Sequence, residues 1–214
     1  MTPFVLLPDN AADAVPAGAA GAAGAAGAAG AAGAAGAAGA AGAGCVDVVG
    51  IVSVDGSGVA GAGDPAGIAA RIAAKLGLKP LPHEGGLFRN TLASVDSTAI
   101  YFMVTEAGFS ALHRLKSSEV YHWYAGSPLQ ITVLHPDGSG ENIILGQDVL
   151  GGEVPQVVVP GGCFHGSRSL GAWTLLGTTM APPFSWEQFT LAERAHLLRS
   201  HPRFAADITR LTRD

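Results

Sequence analysis

Between Gly108 and Gly126 the chain reads GFSALHRLKSSEVYHWYAG, which sets His113, Glu119 and several aromatics within two runs of strand-like composition. Extended backbone turns successive side chains to opposite faces. Phe109, Ala111, His113 and Leu115 therefore share one side, and Glu119, Tyr121 and Trp123 share one side of the next run. Where those two sides face one interior, His113 meets Glu119. A further histidine, His165, closes the stretch PGGCFH. Two neutral imidazoles and one carboxylate form a donor set that suits one divalent ion, Fe, Mn, Ni or Zn, and leaves coordination positions open for water or substrate. His113 and Glu119 can equally satisfy each other by hydrogen bonding with no metal. Both readings stand at this level.

Without a metal, His113 or Glu119 would serve as a base, with Tyr101 or Tyr121 as the acid. Such chemistry needs a pKa near the working pH and hydrogen-bond reach of the substrate. Tyr121 and Trp123, in phase with Glu119, are candidates for an apolar wall with polar tips. Arg89 is a candidate two-point anchor for an anionic substrate, with a structural role weighed equally. Arg114 and Lys116 fall on the face opposite His113, where solvent or a subunit contact is expected. Val120, His122 and Tyr124 then point outward, as a subunit interface would.

The elements that must position these groups are short. Strands are expected over 99–105, 110–115, 120–124, 129–134, 142–145, 154–159 and 173–180, separated by turn signals such as AGSP, HPDGSG and PGG. Many short strands without interleaved helices indicate an antiparallel sandwich or barrel. Ahead of them, Asp64 caps and Pro65 opens a helix with Ile68, Ile72 and Leu76 as its apolar stripe, ended by Gly77. The stretch LKPLPHEGGLFRNT forms a loop leading into a strand. After Pro182 and Pro183, Thr190 with Glu193 reads as a capping box before a helix with Leu191, Ala195 and Leu198 on one face. Pro202 opens a second helix bearing Phe204, Ile208 and Leu211.

These motifs resemble those of the cupin superfamily. Its first motif is a glycine, His-x-His, a glutamate and a further glycine, met here by His113, Glu119 and Gly126, with Leu115 in place of the second histidine. The second motif, Pro-x-Gly-x-x-His and a distant Asn, is met by Pro160, Gly162 and His165, with Ser169 where the Asn would stand. EGGLFRNT, HRLKSSE and the tail after Phe184 look like a branch of small single-domain cupins whose activity is largely unassigned. The likeness spans roughly residues 66 to 212. It implies an all-β jelly roll, the double-stranded β-helix, with flanking short helices, a barrel pocket for a small polar metabolite, and a homodimer. In that branch the loop usually reads His-Pro-Glu-Gly-Gly, whereas this chain has Pro82, His83, Glu84, Gly85 and Gly86. His83 and Glu84 join Arg89 and Trp123 as expected ligand contacts. The resemblance thus implies a barrel that binds a small polar metabolite, with metal-dependent isomerase, epimerase or oxygenase activity as one reading and a non-catalytic, metal-free ligand-binding barrel as the alternative.

Composition bounds the rest. Residues 18 to 44 are a near-perfect Gly-Ala-Ala repeat. It lacks the proline of collagen and leaves no large side chain to bury, so residues 1–63 are expected to be a disordered arm, with a silk-like stack as the minor reading. VDVVGIVSV at 46–54 has strand composition and is expected either to pair with the sheet or to stay unstructured. Residues 64–214 are expected to form one domain. A net charge of −5 with no basic run argues against nucleic acid and anionic membrane as partners. Cys45 and Cys163, far apart, suggest no disulfide framework. The start MTPFVLLPDN is too short in apolar residues for a secretory signal, and a cytoplasmic location is expected.

Overall fold

The computed structural model describes residues 64–213. The arm expected over 1–63, with the strand expected at 46–54, lies outside the described residues. Helix α1 (Pro65–Leu76) begins as its residue types dictate: Asp64 Oδ1 accepts from the Ala66 N–H at 3.1 Å, and Pro65 occupies the first turn. It ends at Gly77, whose φ of 66° is the left-handed conformation that closes a helix. The buried seam differs from the expected isoleucine stripe. Ala69 and Ala73 pack against Met103, Ile72 is only partly covered, and Ile68 is 38% exposed. Small alanines allow close approach of helix to sheet, which burial of the isoleucines would prevent.

Eleven strands follow in the described residues: β1 (Lys79–Pro80), β2 (Leu87–Ala93), β3 (Thr98–Thr105), β4 (Ser110–Arg114), β5 (Glu119–Gly126), β6 (Leu129–Leu134), β7 (Gly140–Leu145), β8 (Gln156–Val159), β9 (Phe164–Ser169), β10 (Trp173–Met180) and β11 (Thr190–Leu191). They form two antiparallel sheets, ordered β1-β2-β3-β10-β5-β8 and β11-β4-β9-β6-β7. The fold is the expected jelly-roll sandwich. Phe102, Val104, Tyr121, Leu129, Ile131, Val133, Leu145, Val157, Val159 and Leu176 form the core between the sheets. Each such side chain contributes roughly 1.5–3 kcal/mol by leaving water.

β9 is absent from the sequence-based strand set. Its sequence, FHGSRS, has polar and glycine content that local propensity disfavours. Tertiary pairing overrides that preference, because β9 lies between β4 and β6, with His165 opposite both His113 and Val133.

The C-terminal elements α2 (Arg194–Ser200) and α3 (Ala205–Arg210) cover the other face of the five-stranded sheet, where Leu197, Ile208 and Leu211 pack on Leu112 and Leu134. The expected capping box does not form. Thr190 and Leu191 pair as β11 with Arg114 and His113, and α2 starts after Glu193 with no side-chain cap bond. Backbone pairing with the edge of β4 holds residues 190–191 extended, which shifts the buried position of α2 to Leu197 and leaves Leu191 44% exposed.

Candidate metal centre and cavity

β4, β5 and β9 bring His113, Glu119 and His165 together inside the sandwich, buried to 1%, 8% and 1% exposure. The imidazole nitrogens and the carboxylate oxygen that would bind a metal all lie within 4.8 Å of one another. His165 Nε2 stands 3.0 Å from Glu119 Oε2, and the two histidine rings are 4.3 Å apart, centre to centre.

Backbone groups fix one tautomer. His113 Nδ1 lies 2.8 Å from the Ala111 carbonyl, which can only accept, so Nδ1 carries the proton and Nε2 presents a lone pair. Orientation of a ligand histidine through its second nitrogen is the usual support of a metal site. Two ligands about 2.1 Å from one ion lie roughly 3–4 Å apart. The Glu119–His165 separation already meets that spacing, and the third donor lies within 4.8 Å of the other two. The donor set fits a divalent ion, and Leu115, at the position of the missing second histidine, supplies no fourth ligand.

A cavity of about 320 Å³ opens beside these donors. Its apolar wall includes Leu81, Phe88, Ile100, Leu115 and Met180, with Phe184 and Trp186 contributed by the tail. Its polar atoms come from Glu84, Asn90, Thr98, His113, Glu119 and Thr178. Glu84 sits in the loop between β1 and β2, where its Oε1 accepts from Ser110 Oγ at 2.6 Å and its Oε2 lies 4.0 Å from His113 Nε2. The loop is tightly specified. Gly86 has φ 73°, and a Cβ there would come within 2.6 Å of the Phe102 ring. Arg213 Nη1 donates to the carbonyls of His83 and Glu84 at 2.9 and 3.0 Å, tying the end of the described chain to this wall.

The electrostatics divide the groups. Burial, reinforced by the charge of Glu119, raises Glu84 to about 8. Burial, helped by His165, lowers His113 to about 3. For Glu119 burial acts upward, but the hydrogen bond and charge of His165, then His113 and the Thr178 hydroxyl, outweigh it and keep the carboxyl below its usual range. At neutral pH the cavity therefore holds an ionised Glu119, a neutral His113 and a largely protonated Glu84. Tyr121 is pushed well above 10 by burial and by the negative charge of Glu119 and Glu84, so its hydroxyl stays protonated and hydrogen-bonds Glu119.

The structure sorts the expected site residues by strand parity. His113, Glu119 and Glu84 line the cavity. His165 lies behind them, with Tyr121 edge-on to its ring at 5.9 Å. Trp123 is part-buried against the core and donates to the Ser127 carbonyl, and it does not line the cavity. His83, at φ 64°, is not among the lining residues and reaches the cavity wall only through an edge contact with Trp186 at 5.7 Å. Arg89 and Tyr101 depart from expectation. Ile100, Phe102 and Val104 point inward on β3, so Tyr101 points outward, where Arg89 lies over its ring at 5.3 Å. No lysine or arginine is among the residues lining the cavity, so the expected anchor for an anionic substrate is absent from it. Ser110, Thr178, Phe184, Trp186 and Phe189 escaped the sequence reading. Phe189 stacks on His113 at 5.1 Å, and the only local signal was the aromatic density of FSWEQF.

A family model described as Cupin superfamily (DUF985) matches residues 70–192, more than half of the chain. The protein is a member of the cupin superfamily. This cupin is similar to a solved structure of a protein from Shewanella oneidensis, at 30% identity and a TM-score of 0.64, covering 68% of this chain and 97% of that one. It is likewise similar to a hypothetical protein from Leishmania major, at 27% identity and a TM-score of 0.64, covering 68% and 99% of the two chains. No curated protein matches the cupin chain. Among its described residues, no helix is long and apolar enough to cross a membrane.

Proposed function

We propose that this cupin is a metal-dependent enzyme of isomerase or epimerase type, acting on a small uncharged polar metabolite. The observation that carries the reading is the convergence of the buried donors of His113, Glu119 and His165 beside a largely apolar cavity. A bound divalent ion would supply Lewis acidity toward a carbonyl or hydroxyl oxygen of the ligand. The chain's own residues do the rest. Ala111 holds His113 in the tautomer that presents Nε2. Glu84 holds a proton at a carboxyl whose pKa of about 8 lies near physiological pH, where a general acid or base is most effective. That proton source supports isomerisation over oxygenation. Phe184 and Trp186 give one side an apolar wall, and the lack of a cation in the lining disfavours phosphorylated or carboxylated substrates.

A second reading, a metal-free ligand-binding barrel, is favoured by one observation: His165 and Glu119 already satisfy each other at 3.0 Å. Elemental analysis of the full chain purified without chelator separates the two. The metal reading expects about one Fe, Mn, Ni or Zn per chain, lost in His113→Ala while the fold is retained. Absence of metal, together with failure to bind any of the four on reconstitution, would leave the binding barrel.

A further inference from the structure

A second cavity, also about 320 Å³, shares no lining residue with the first. Its wall combines Glu106 and Phe109 from the β3–β4 connection, Arg168 and Ser169 from β9, Gly171 and, from α3, Arg210. Arg168 is held in place by a chain of side-chain hydrogen bonds. Its Nη2 donates to Gln130 Oε1 at 2.7 Å, and Gln130 Nε2 donates to Asp207 Oδ1 at 3.2 Å. Asp207 Oδ2 is taken by Asn142 Nδ2 at 3.0 Å, so this carboxylate is engaged by two amides. The Arg168 Nε–H is buried and has no acceptor. Among the described residues, no ion pair engages Arg168 or Arg210.

A buried N–H of a guanidinium without an acceptor is a costly arrangement, and native proteins rarely leave one unmet. The Nε–H itself is closed to solvent, but the side chain that carries it lines a cavity, with a second guanidinium in the same wall. Two cations against the single carboxylate of Glu106 leave one positive charge in excess. Arginine presents its N–H groups as a planar fork that matches two oxygens of one oxyanion.

We propose that this cavity is an oxyanion site, taking a phosphate or carboxylate group of a small metabolite on Arg168 and Arg210. It lies apart from the candidate metal centre and does not depend on the function proposed for that centre. Its ligand chemistry is the opposite of the first cavity's, whose polar lining includes two carboxylates and no cation.

The test is calorimetric and thermal-shift titration of the full chain with inorganic phosphate and, separately, succinate, at constant ionic strength with chloride as control. Saturable binding of at least one probe is expected. It should weaken about tenfold or more in Arg168→Gln and several-fold in Arg210→Gln, and tighten in Glu106→Gln. Preference between the probes assigns phosphate or carboxylate as the group bound. Arg210 is exposed, so its variant reports even where Arg168→Gln fails to fold. No saturable response to either probe overturns the proposal, as does a response matched by chloride or one unchanged in Arg210→Gln. The metal content of the first site should be the same in Arg210→Gln as in the parent protein.

Discussion

Replacing Glu84 with Gln should make the protein more stable at alkaline pH, by an amount that the cavity's electrostatics set. The carboxyl is raised to about 8 in the folded state from its ordinary value of 4.5. Between those values the unfolded chain releases the proton and the folded chain keeps it. Fewer protons are then bound in the unfolded state, so stability falls as pH rises. His113 acts in the other direction at lower pH. Its folded value of about 3 lies below 6.5, so its contribution is nearly complete above 6.5 and is lost as pH falls toward 3. Above pH 6.5 only a few tenths of a kcal/mol of the His113 contribution, of opposite sign, is still to come, and Glu84 dominates the slope of these two. A full proton is worth about 1.36 kcal/mol per pH unit and the slope halves by pH 8, so the parent protein should lose roughly 1–1.5 kcal/mol across that window. Glu84→Gln keeps the shape and an oxygen to accept from Ser110 Oγ, and should show no such loss. Urea unfolding followed by tryptophan fluorescence at several pH values, with chelator and fixed ionic strength, measures both slopes. Parallel curves for parent and variant between pH 6.5 and 8 would refute the protonated Glu84 and, with it, the acid assigned to the cavity.

Two further outcomes follow from the packing. Gly86→Ala should destabilise the protein by about 2–5 kcal/mol in urea unfolding, since φ is 73° and the new Cβ meets the Phe102 ring. The outward face of the six-stranded sheet carries Tyr101, Tyr124 and the half-exposed Val158. We propose it as the homodimer contact, so Tyr124→Lys should shift sedimentation equilibrium toward monomer, whereas an unchanged or purely monomeric parent would remove this face from consideration.

What the sequence determined by itself is everything that depends on local periodicity and on paired motif positions. The period-two pattern put His113 and Glu119 on inward faces, although Phe109, expected beside His113, packs with Leu112 on the other face past an irregularity in β4, and Asp64, Pro65 and Gly77 bounded α1 at the residues where it begins and ends. The strands 129–134 and 173–180 were legible for the same reason, as alternating or continuous apolar runs between turn signals. The cupin motifs chose the jelly roll among the all-β architectures.

The tertiary structure decided what local pattern cannot encode. β9 is extended because two neighbours pair with it, against the preference of its own residues. Thr190 lies in a strand because the edge of β4 was available, although its local sequence resembles a helix start. The inward or outward sense of β3 had no local marker, and pairing with β10 and β2 turned Tyr101 and Arg89 away from the cavity. Glu84 acquires its raised pKa only from burial beside Glu119, residues 35 positions apart in the chain. Phe189 reaches His113, and Arg213 the Glu84 loop, by contacts between distant segments. Periodicity reports which residues share a face of one element. Which faces are brought together depends on strand order and on closure of the sandwich, and the chemistry of both cavities is set there.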